Sequence, residues 1–271
     1  MNDARLHLAC ENPGGGINIY VHGFGRLRGK KLARQLQFLA DVNLKGRTYL
    51  FEWDSGLLWR PLVPITLAAG GILGVVLYRG LKSGKRAPAK PGHASFLKKM
   101  LRLGASIIPL FPVAAGIEFN LSKRKADALG RDFVELISEI PRIKEEPLNL
   151  IGFSLGARIL HTALCTHSWE DHQLKDVCFL GGATDSDSRH WNFCASGVGG
   201  HIYNFYSGND DALAVKPDNE KSIGRHRIPL EIAKVVNIET RLHHHRHPNY
   251  QEHLKELLQV LDPLPGSAPS K

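Results

Sequence analysis

We expect neither a secretory leader nor a clear membrane span in this sequence. No apolar stretch of secretory type follows the polar start at residues 1–5, so we expect a cytoplasmic location, with peripheral or integral membrane association left open. The two longest apolar runs cover residues 61–78 and 104–117. A bilayer span needs about 20 apolar residues; the first run is at the lower limit and contains Pro64, and the second is shorter.

Closely spaced cysteines are also missing. The four cysteines have no near neighbour of their own kind along the chain: Cys10, Cys165, Cys178 and Cys194. This scatter argues against both a zinc site and a disulfide framework. We therefore expect reduced and mostly buried thiols, and neither a metal nor an organic cofactor.

Acidic residues are absent between Ser55 and Ile117, where nine Lys and Arg residues occur. The whole chain has 35 basic and 26 acidic residues, so this segment accounts for its net charge of +9. Nucleic acid is not an expected partner, because the basic residues alternate with aliphatic ones and few aromatic residues are available for stacking. Three interpretations remain: a buried helical cap, an interfacial hairpin that meets an anionic membrane surface, or a true span.

Outside this segment, strand-like and helical patterns alternate, which predicts an α/β fold with a mostly parallel sheet and helices on both faces. Strands are expected at residues 17–21, 47–53, 148–153, 177–180, 202–206 and 235–238. Helices are expected at residues 30–40, 122–140, 157–165 and 250–261. The predicted core is therefore 1–54 with 118–262, the insertion is 55–117, and the loose tail is 263–271.

A serine lies between two glycines where a predicted strand meets a predicted helix. In Gly152-Phe153-Ser154-Leu155-Gly156, the glycines relieve the crowding that a sharp strand-to-helix turn creates, and the turn exposes the serine hydroxyl. A tight turn with no chemistry would also explain the pattern. The setting nevertheless favours Ser154 as a nucleophile, with the Leu155 N–H at a helix start where an anion is stabilised.

A second glycine turn follows the first clear strand. His22-Gly23-Phe24-Gly25 can supply a second oxyanion donor, for which the backbone N–H of Phe24 is the best choice. Gly23 would let a substrate approach, whereas His22 would support the loop by packing.

A triad that follows the order Ser, acid, His needs its acid and base after residue 154. Asp210 directly follows a predicted strand and is our preferred acid, with Asp211 and Asp185 as alternatives. Among fourteen histidines, position favours those between the last strand and the closing helix. His247 is the preferred base; His244 and His245 are alternatives.

With these residues, the chain resembles the α/β-hydrolase superfamily over nearly its whole length. Within it, the sequence is similar to the family typified by transmembrane and coiled-coil domain-containing protein four. The matching stretches are residues 152–158, 180–183 with Asp187 and Trp191, 204–210 with Leu213, and 247–250. The resemblance implies a serine hydrolase with the triad Ser154, Asp210 and His247 that works near membranes.

The expected activity is hydrolysis of acyl esters, as in esterases and lipases, with an ester or lipid as the substrate. The alternative is a hydrolase-fold protein without catalysis, which binds a membrane or a partner through residues 55–117. These two functions differ in whether a histidine backed by a carboxylate can reach Ser154.

Overall fold

The computed structural model describes residues 4–25, 27–55, 110–187, 189–214, 220–229, 232–240, 247 and 249–261. Residues 1–55 and 121–271 form one unit of the chain, and residues 56–120 form a second. Of the expected insertion, only Ser55 and the helical backbone from Leu110 belong to the described residues. The expected tail at 263–271 lies outside them.

Seven strands form one mixed sheet in the order β1-β3-β2-β4-β5-β6-β7. Their bounds are Arg5–Asn12 (β1), Ile17–Val21 (β2), Gly46–Glu52 (β3), Leu148–Phe153 (β4), Leu174–Leu180 (β5), Ile202–Tyr206 (β6) and Val235–Glu239 (β7). All neighbouring pairs are parallel except β1 with β3. The prediction of an α/β fold with a mostly parallel sheet is therefore confirmed.

The edge strand β1 is absent from the sequence-based prediction. It pairs antiparallel with β3, from Arg5 opposite Glu52 to Asn12 opposite Gly46. None of its residues is fully buried, because an edge strand has only one neighbour and a partly solvated face. Because half of its residues are polar, the sequence pattern did not predict this strand, which is stabilised by its hydrogen bonds with β3.

The described helices are α1 (Lys30–Val42), α2 (Leu110–Ile137), α3 (Leu155–Thr166), α4 (Trp191–Ser196), α5 (Asp211–Ala214), α6 (Asn249–Glu252) and α7 (Leu254–Leu257), followed by a 3₁₀ turn at Leu258–Val260. The boundaries predicted for two helices were wrong. Helix α2 begins before residue 122 and ends before 140, where the Ser138 hydroxyl donates to the Glu135 carbonyl. The closing helix is divided into three short pieces. No helix within the described ranges is long and apolar enough to cross a bilayer.

Side chains on β3 show that helices cover both faces of the sheet. Leu50 joins the cluster that includes Leu39 of α1 and Leu254 of α7. The next residue, Phe51, points to the opposite face and meets Phe133 of α2, with ring centroids 5.1 Å apart. This alternation follows from the two-residue period of a strand.

The direction in which the strands are added reverses between β2 and β4. The chain passes from β2 outward to β3 and then returns, so that β4 pairs with the other side of β2. Val21 and Gly152 stand opposite each other at the carboxyl ends of these two strands. In open parallel sheets, the crevice outside such a reversal point is where ligands bind. The turns that contain Gly23 and Ser154 begin at this crevice.

Candidate functional site

Ser154 occupies the apex of the turn between β4 and α3. Its backbone angles are φ 55° and ψ −118°. Residues other than glycine rarely adopt such a positive φ. The Ser154 N–H donates to the Leu180 carbonyl at 3.0 Å. The Ser154 carbonyl accepts from the Ala183 N–H, also at 3.0 Å. Hydrogen bonds from the end of β5 thus hold a strained serine in place.

The two glycines that flank Ser154 are needed for close backbone packing. A Cβ atom at Gly152 would lie 2.7 Å from the Cα atom of Ala157. A Cβ atom at Gly156 would overlap the carbonyl oxygen of Val21 in the neighbouring strand. Both contacts arise because helix α3 starts immediately after the strand, directly against β2. Glycine is therefore the residue that fits at both positions without a shift of the backbone.

The turn after β2 passes directly over Ser154. A Cβ atom at Gly23 would lie 2.7 Å from the Cβ atom of Ser154, so only glycine fits there without a shift. Phe24 comes next and is 47% exposed, while Leu155, the first residue of α3, has no exposed surface. The two backbone segments that we expect to supply oxyanion donors therefore both adjoin Ser154.

His22 fixes this turn to the end of β3. Its Nε2 accepts a hydrogen bond from the Trp53 backbone N–H at 3.2 Å, and its carbonyl accepts from Trp53 Nε1 at 2.9 Å. Burial lowers the pKa of His22 to about 4, so its imidazole is neutral at pH 7 and can accept. These two hydrogen bonds hold the His22 turn against Trp53.

Sequence reasoning missed the serine that ties this turn to α2. The Ser55 hydroxyl accepts from the Gly25 N–H at 2.6 Å, and the Ser55 carbonyl accepts from the Ser122 hydroxyl. Both serines are buried. A single serine after a strand carries no pattern that marks such a link, so the sequence offered no signal for it.

The structure brings Asp210 and His247 together, although they lie on separate loops. Asp210 Oδ2 is 2.6 Å from His247 Nδ1. Asp210 is 2% exposed, and its other oxygen, Oδ1, accepts from the Leu213 N–H at the start of α5. A carboxylate held in this way orients the imidazole and leaves Nε2 as the nitrogen that can exchange a proton.

The imidazole of His247 lies next to the Ser154 turn. It stacks on Phe153, the residue before Ser154, with ring centroids 4.9 Å apart. A Cβ atom at Gly181 would lie 3.2 Å from His247 Cε1, and Gly181 directly follows the Leu180 carbonyl that binds Ser154. The Tyr250 ring packs against His247 from another side, at 6.2 Å between centroids.

The alternative acids lie in other surroundings. Asp211 is exposed and begins α5. Asp185 pairs with Ser222 in an isolated bridge, its Oδ1 accepts from the Asp187 N–H, and its carbonyl accepts from Trp191 Nε1. Asp185 thus takes part in local structure after β5, and Asp211 faces solvent. The alternative bases His244 and His245 lie outside the described residues.

Ion pairs connect helix α3 to α2 and to the loop before β7. Arg158 forms two hydrogen bonds with Asp127 of α2, at 2.7 and 3.1 Å, and a third with Glu220 at 3.0 Å. Lys123 also pairs with Glu220 at 2.7 Å. Because the Arg158 side chain is only 16% exposed, this network is better shielded from solvent than a surface pair. It fixes the helix that begins at Ser154.

The cysteine prediction was wrong for one pair. The structure joins the sulfur atoms of Cys165 and Cys194, whose Cα atoms are 5.2 Å apart. Helix α4 returns over the end of α3 and brings together residues that are 29 positions apart, which spacing alone cannot reveal. Together with His161, the two cysteines form a group that could hold a metal ion, because the nitrogen and sulfur atoms all lie within 4.8 Å of one another. Cys10 and Cys178 are free thiols.

A separate cavity of about 530 Å³ lies beyond the His22 turn. Among the described residues that line it are Arg5, Arg28, Glu52, Trp53 and Asp54. Its described walls carry charges of both signs and do not include Ser154, Asp210 or His247. We therefore assign it no part in the chemistry at Ser154.

Comparison with known proteins identifies the family of this chain and a relative of part of it. Residues 108–262, more than half of the chain, match a family profile described as "Protein of unknown function (DUF726)". The chain belongs to this family. It is also 30% identical over 95 residues to a protein of Caenorhabditis elegans named "Uncharacterized membrane protein F35D11.3". The alignment covers 34% of this chain and 15% of that relative, so it spans only a small part of the nematode protein.

Proposed function

We propose that this protein is a serine hydrolase with the α/β-hydrolase fold that cleaves acyl esters. The observation that carries this proposal is the hydrogen bond of 2.6 Å between Asp210 Oδ2 and His247 Nδ1, beside the strained turn that presents Ser154. A nucleophile, a base and an acid that orients the base are the parts that activate a serine hydroxyl.

Each residue has a defined part in the reaction. Ser154 Oγ attacks the ester carbonyl while His247 Nε2 accepts its proton, and Asp210 stabilises the imidazolium that forms. The Leu155 and Phe24 N–H groups donate to the developing oxyanion. His247 then returns the proton to the departing alcohol. Water, activated by the same histidine, releases the acid from Ser154.

The strand–turn–helix setting of Ser154 supports the assignment to the α/β-hydrolase fold. In that fold, the nucleophile stands on a strained turn after a strand, one oxyanion donor follows it, and the second comes from the loop after an earlier strand. Here the earlier loop contains Gly23, whose position against Ser154 Cβ matches that requirement. The chain order Ser154, Asp210, His247 is also the one that the fold uses.

We further propose that the insertion at residues 55–117 brings the enzyme to an anionic membrane surface. All of the excess positive charge of the chain lies there, beside two apolar runs. Lysines next to apolar segments bind anionic lipid head groups. The name of the nematode relative, which calls it a membrane protein, is consistent with this location. A lipid ester would then be a suitable substrate.

A fluorophosphonate probe, which modifies activated serines, tests the catalytic proposal. The full chain should be labelled at Ser154, and Ser154→Ala should abolish both labelling and the hydrolysis of p-nitrophenyl acyl esters. Ser196→Ala is the matched control, because Ser196 is an exposed serine that bonds only to the local Phe193 carbonyl among the described contacts. No labelling of the wild-type chain would contradict the proposal and favour the non-catalytic alternative.

Liposome flotation of the full chain tests the membrane proposal separately. Binding should require anionic vesicles and should weaken when Lys82, Lys85, Arg86 and Lys90 are all changed to Gln. The matched control changes four lysines outside the insertion, Lys30, Lys31, Lys45 and Lys175, to Gln. Equal binding of all three chains would show that the insertion does not provide the contact.

A further inference from the structure

The paired cysteines lie on two helices that pack against each other, and the first of these helices begins directly after Ser154. Cys165 is in the last turn of α3, the helix that begins after Ser154, and Cys194 is in α4. Their Cα separation of 5.2 Å falls within the range of about 4.4–6.8 Å that a disulfide requires. The Cα separation is therefore compatible with the bond.

The same surroundings also accommodate the reduced thiols. His161 lies one turn before Cys165, and its Nε2 is 3.6 Å from the Cys165 sulfur. The His161 carbonyl is 4.0 Å from the Cys194 sulfur, which can donate to it. Burial, together with the positive charge of Arg158, lowers the pKa of His161 to about 4, so the imidazole is a neutral acceptor at pH 7. Each thiol thus has an acceptor when the bond is open.

We propose that Cys165 and Cys194 are a reversible redox site that a peroxide closes and a thiol reductant opens. Cys165 is partly exposed, whereas Cys194 is fully buried. The oxidant should therefore meet Cys165 first, and Cys194 should complete the bond. A reductant can reach the bond only at the Cys165 sulfur, and accessible sulfurs are the ones that thiols attack. This inference goes beyond the proposed hydrolase activity and does not depend on it.

The chemistry balances with hydrogen peroxide as the oxidant. The Cys165 thiolate attacks one peroxide oxygen and becomes a sulfenic acid, while the other oxygen leaves as hydroxide and takes up the thiol proton as water. The Cys194 sulfur then attacks the Cys165 sulfur. The S–S bond forms, the S–O bond breaks, and the second oxygen leaves as water with the Cys194 proton. Two thiols lose two electrons, and one peroxide yields two waters.

The other two cysteines differ in their surroundings. Cys178 is fully buried in β5, where burial raises the pKa of its thiol. A buried thiol with a raised pKa forms little thiolate and is inert. Cys10 is partly exposed in β1 and serves as an internal reference thiol. A reaction confined to Cys165 and Cys194 is therefore distinguishable from general oxidation.

Closing the bond restrains the segment that holds Ser154. Trp191, at the start of α4, donates from Nε1 to the Asp185 carbonyl at 3.0 Å. The same segment contains Ala183, whose N–H donates to the Ser154 carbonyl. The disulfide thus ties residues 181–194 to the far end of the helix that follows Ser154. We expect slower hydrogen exchange in this segment when the bond is closed.

The test uses the full chain, first fully reduced and then treated with dilute hydrogen peroxide. After denaturation, alkylation and proteolysis, mass spectrometry should find a peptide that joins Cys165 to Cys194, while Cys10 and Cys178 remain alkylated. Dithiothreitol should restore both thiols. The oxidised chain should melt several degrees higher than the reduced chain, with slower amide exchange at residues 183–194.

Two variants separate the roles of the sulfurs. Cys194→Ser should leave Cys165 as a sulfenic acid that dimedone traps, and peroxide should no longer raise its Tm. Cys10→Ser should behave like the wild-type chain. Sulfinic acid at Cys165 beside an unreacted Cys194 in the wild-type chain would overturn the proposal. The proposal would also be overturned if His161 and the two cysteines bound one zinc ion per chain and this ion protected both thiols from peroxide. Both of these contradicting results would be found with the wild-type chain, so they do not require the variants to fold.

Discussion

Asp210 Oδ2 and His247 Nδ1 are 2.6 Å apart, although 37 positions separate these residues along the chain. The pair joins the loop after β6 to the segment before α6. Because the carboxylate is buried and also accepts from the Leu213 N–H, it has a single orientation in which to hold the imidazole. This relationship gives the first prediction.

Asp210→Asn should lower the rate of ester hydrolysis by about 10³–10⁴-fold, because an amide favours the wrong imidazole tautomer and no longer stabilises the imidazolium. Substrate binding should change little. Steady-state measurement of kcat and KM with p-nitrophenyl esters tests this. Asp211→Asn, at the adjacent exposed position, is the control and should retain activity. Loss of activity in the control and not in Asp210→Asn would assign the acid to Asp211.

Ser154→Gly should be more stable than Ser154→Ala, by up to about 1 kcal/mol. At φ 55°, Ala retains the strain of a side chain in the left-handed region, whereas Gly relieves it, and the greater flexibility of unfolded Gly offsets part of the gain. Urea denaturation of both variants gives the difference.

The same pair of substitutions at Ser196, an exposed position in helix α4, is the control. There, Gly should be no more stable than Ala, because Ser196 is the last residue of a right-handed helix, a conformation that Ala adopts without strain. The same order of stability at both positions would contradict the proposed strain at Ser154.

Gly156→Ala should destabilise the fold by about 1–3 kcal/mol, because the added methyl group would overlap the Val21 carbonyl oxygen and force α3 away from β2. Gly208→Ala is the control, since a Cβ atom there has no neighbour within 4 Å. Its free energy of unfolding should stay within about 0.5 kcal/mol of wild type. Equal stability of the two variants would show that α3 can shift at little cost.

His22 should make the stability of the fold depend on pH. Its pKa falls from 6.5 to about 4 on folding, so the unfolded chain binds a proton before the folded chain does. The contribution of the neutral His22 imidazole to the free energy of unfolding is therefore complete above pH 6.5. It is lost as the pH falls from 6.5 towards 4. Between pH 6.5 and 4.5 the loss should be about 2 kcal/mol.

Urea denaturation at pH 7 and pH 4.5 measures this contribution. His22→Gln keeps an acceptor for the Trp53 N–H but does not titrate, so its stability should fall less than that of the wild-type chain. Gly208→Ala is the control, because it changes no titratable group and a Cβ atom there has no neighbour within 4 Å; it should leave the wild-type pH dependence intact. An unchanged pH dependence in His22→Gln would contradict the burial of a neutral imidazole.

Regular local patterns explain which parts of the fold could be predicted. Strands β2 to β6 have a neighbour on each side and are largely buried, which favours apolar runs. The second edge strand, β7, was predictable because Val235, Val236 and Ile238 form a short β-branched run. Strand β1 escaped prediction because its single neighbour lets half of its residues remain polar. The end of α2 at Ile137 was missed because it depends on a local hydrogen bond of Ser138, which competes with the helix.

The sequence by itself determined the turn at Ser154. A glycine on each side of the serine, an apolar run before it and a helical pattern after it are all local, and the crowding of that turn leaves few other residues possible. Likewise, the sequence determined the excess positive charge of residues 55–117, because charge is a property of composition and does not depend on the fold.

Only the tertiary structure decided which distant side chains meet. The sequence left three aspartates and three histidines open, because loop lengths do not specify where a side chain comes to rest; the fold brings Asp210 to His247. Spacing likewise suggested four separate cysteines, but the packing of α4 on α3 joins Cys165 to Cys194. Contacts between residues far apart in the chain depend on how the sheet orders its strands, and that order is a property of the whole folded domain.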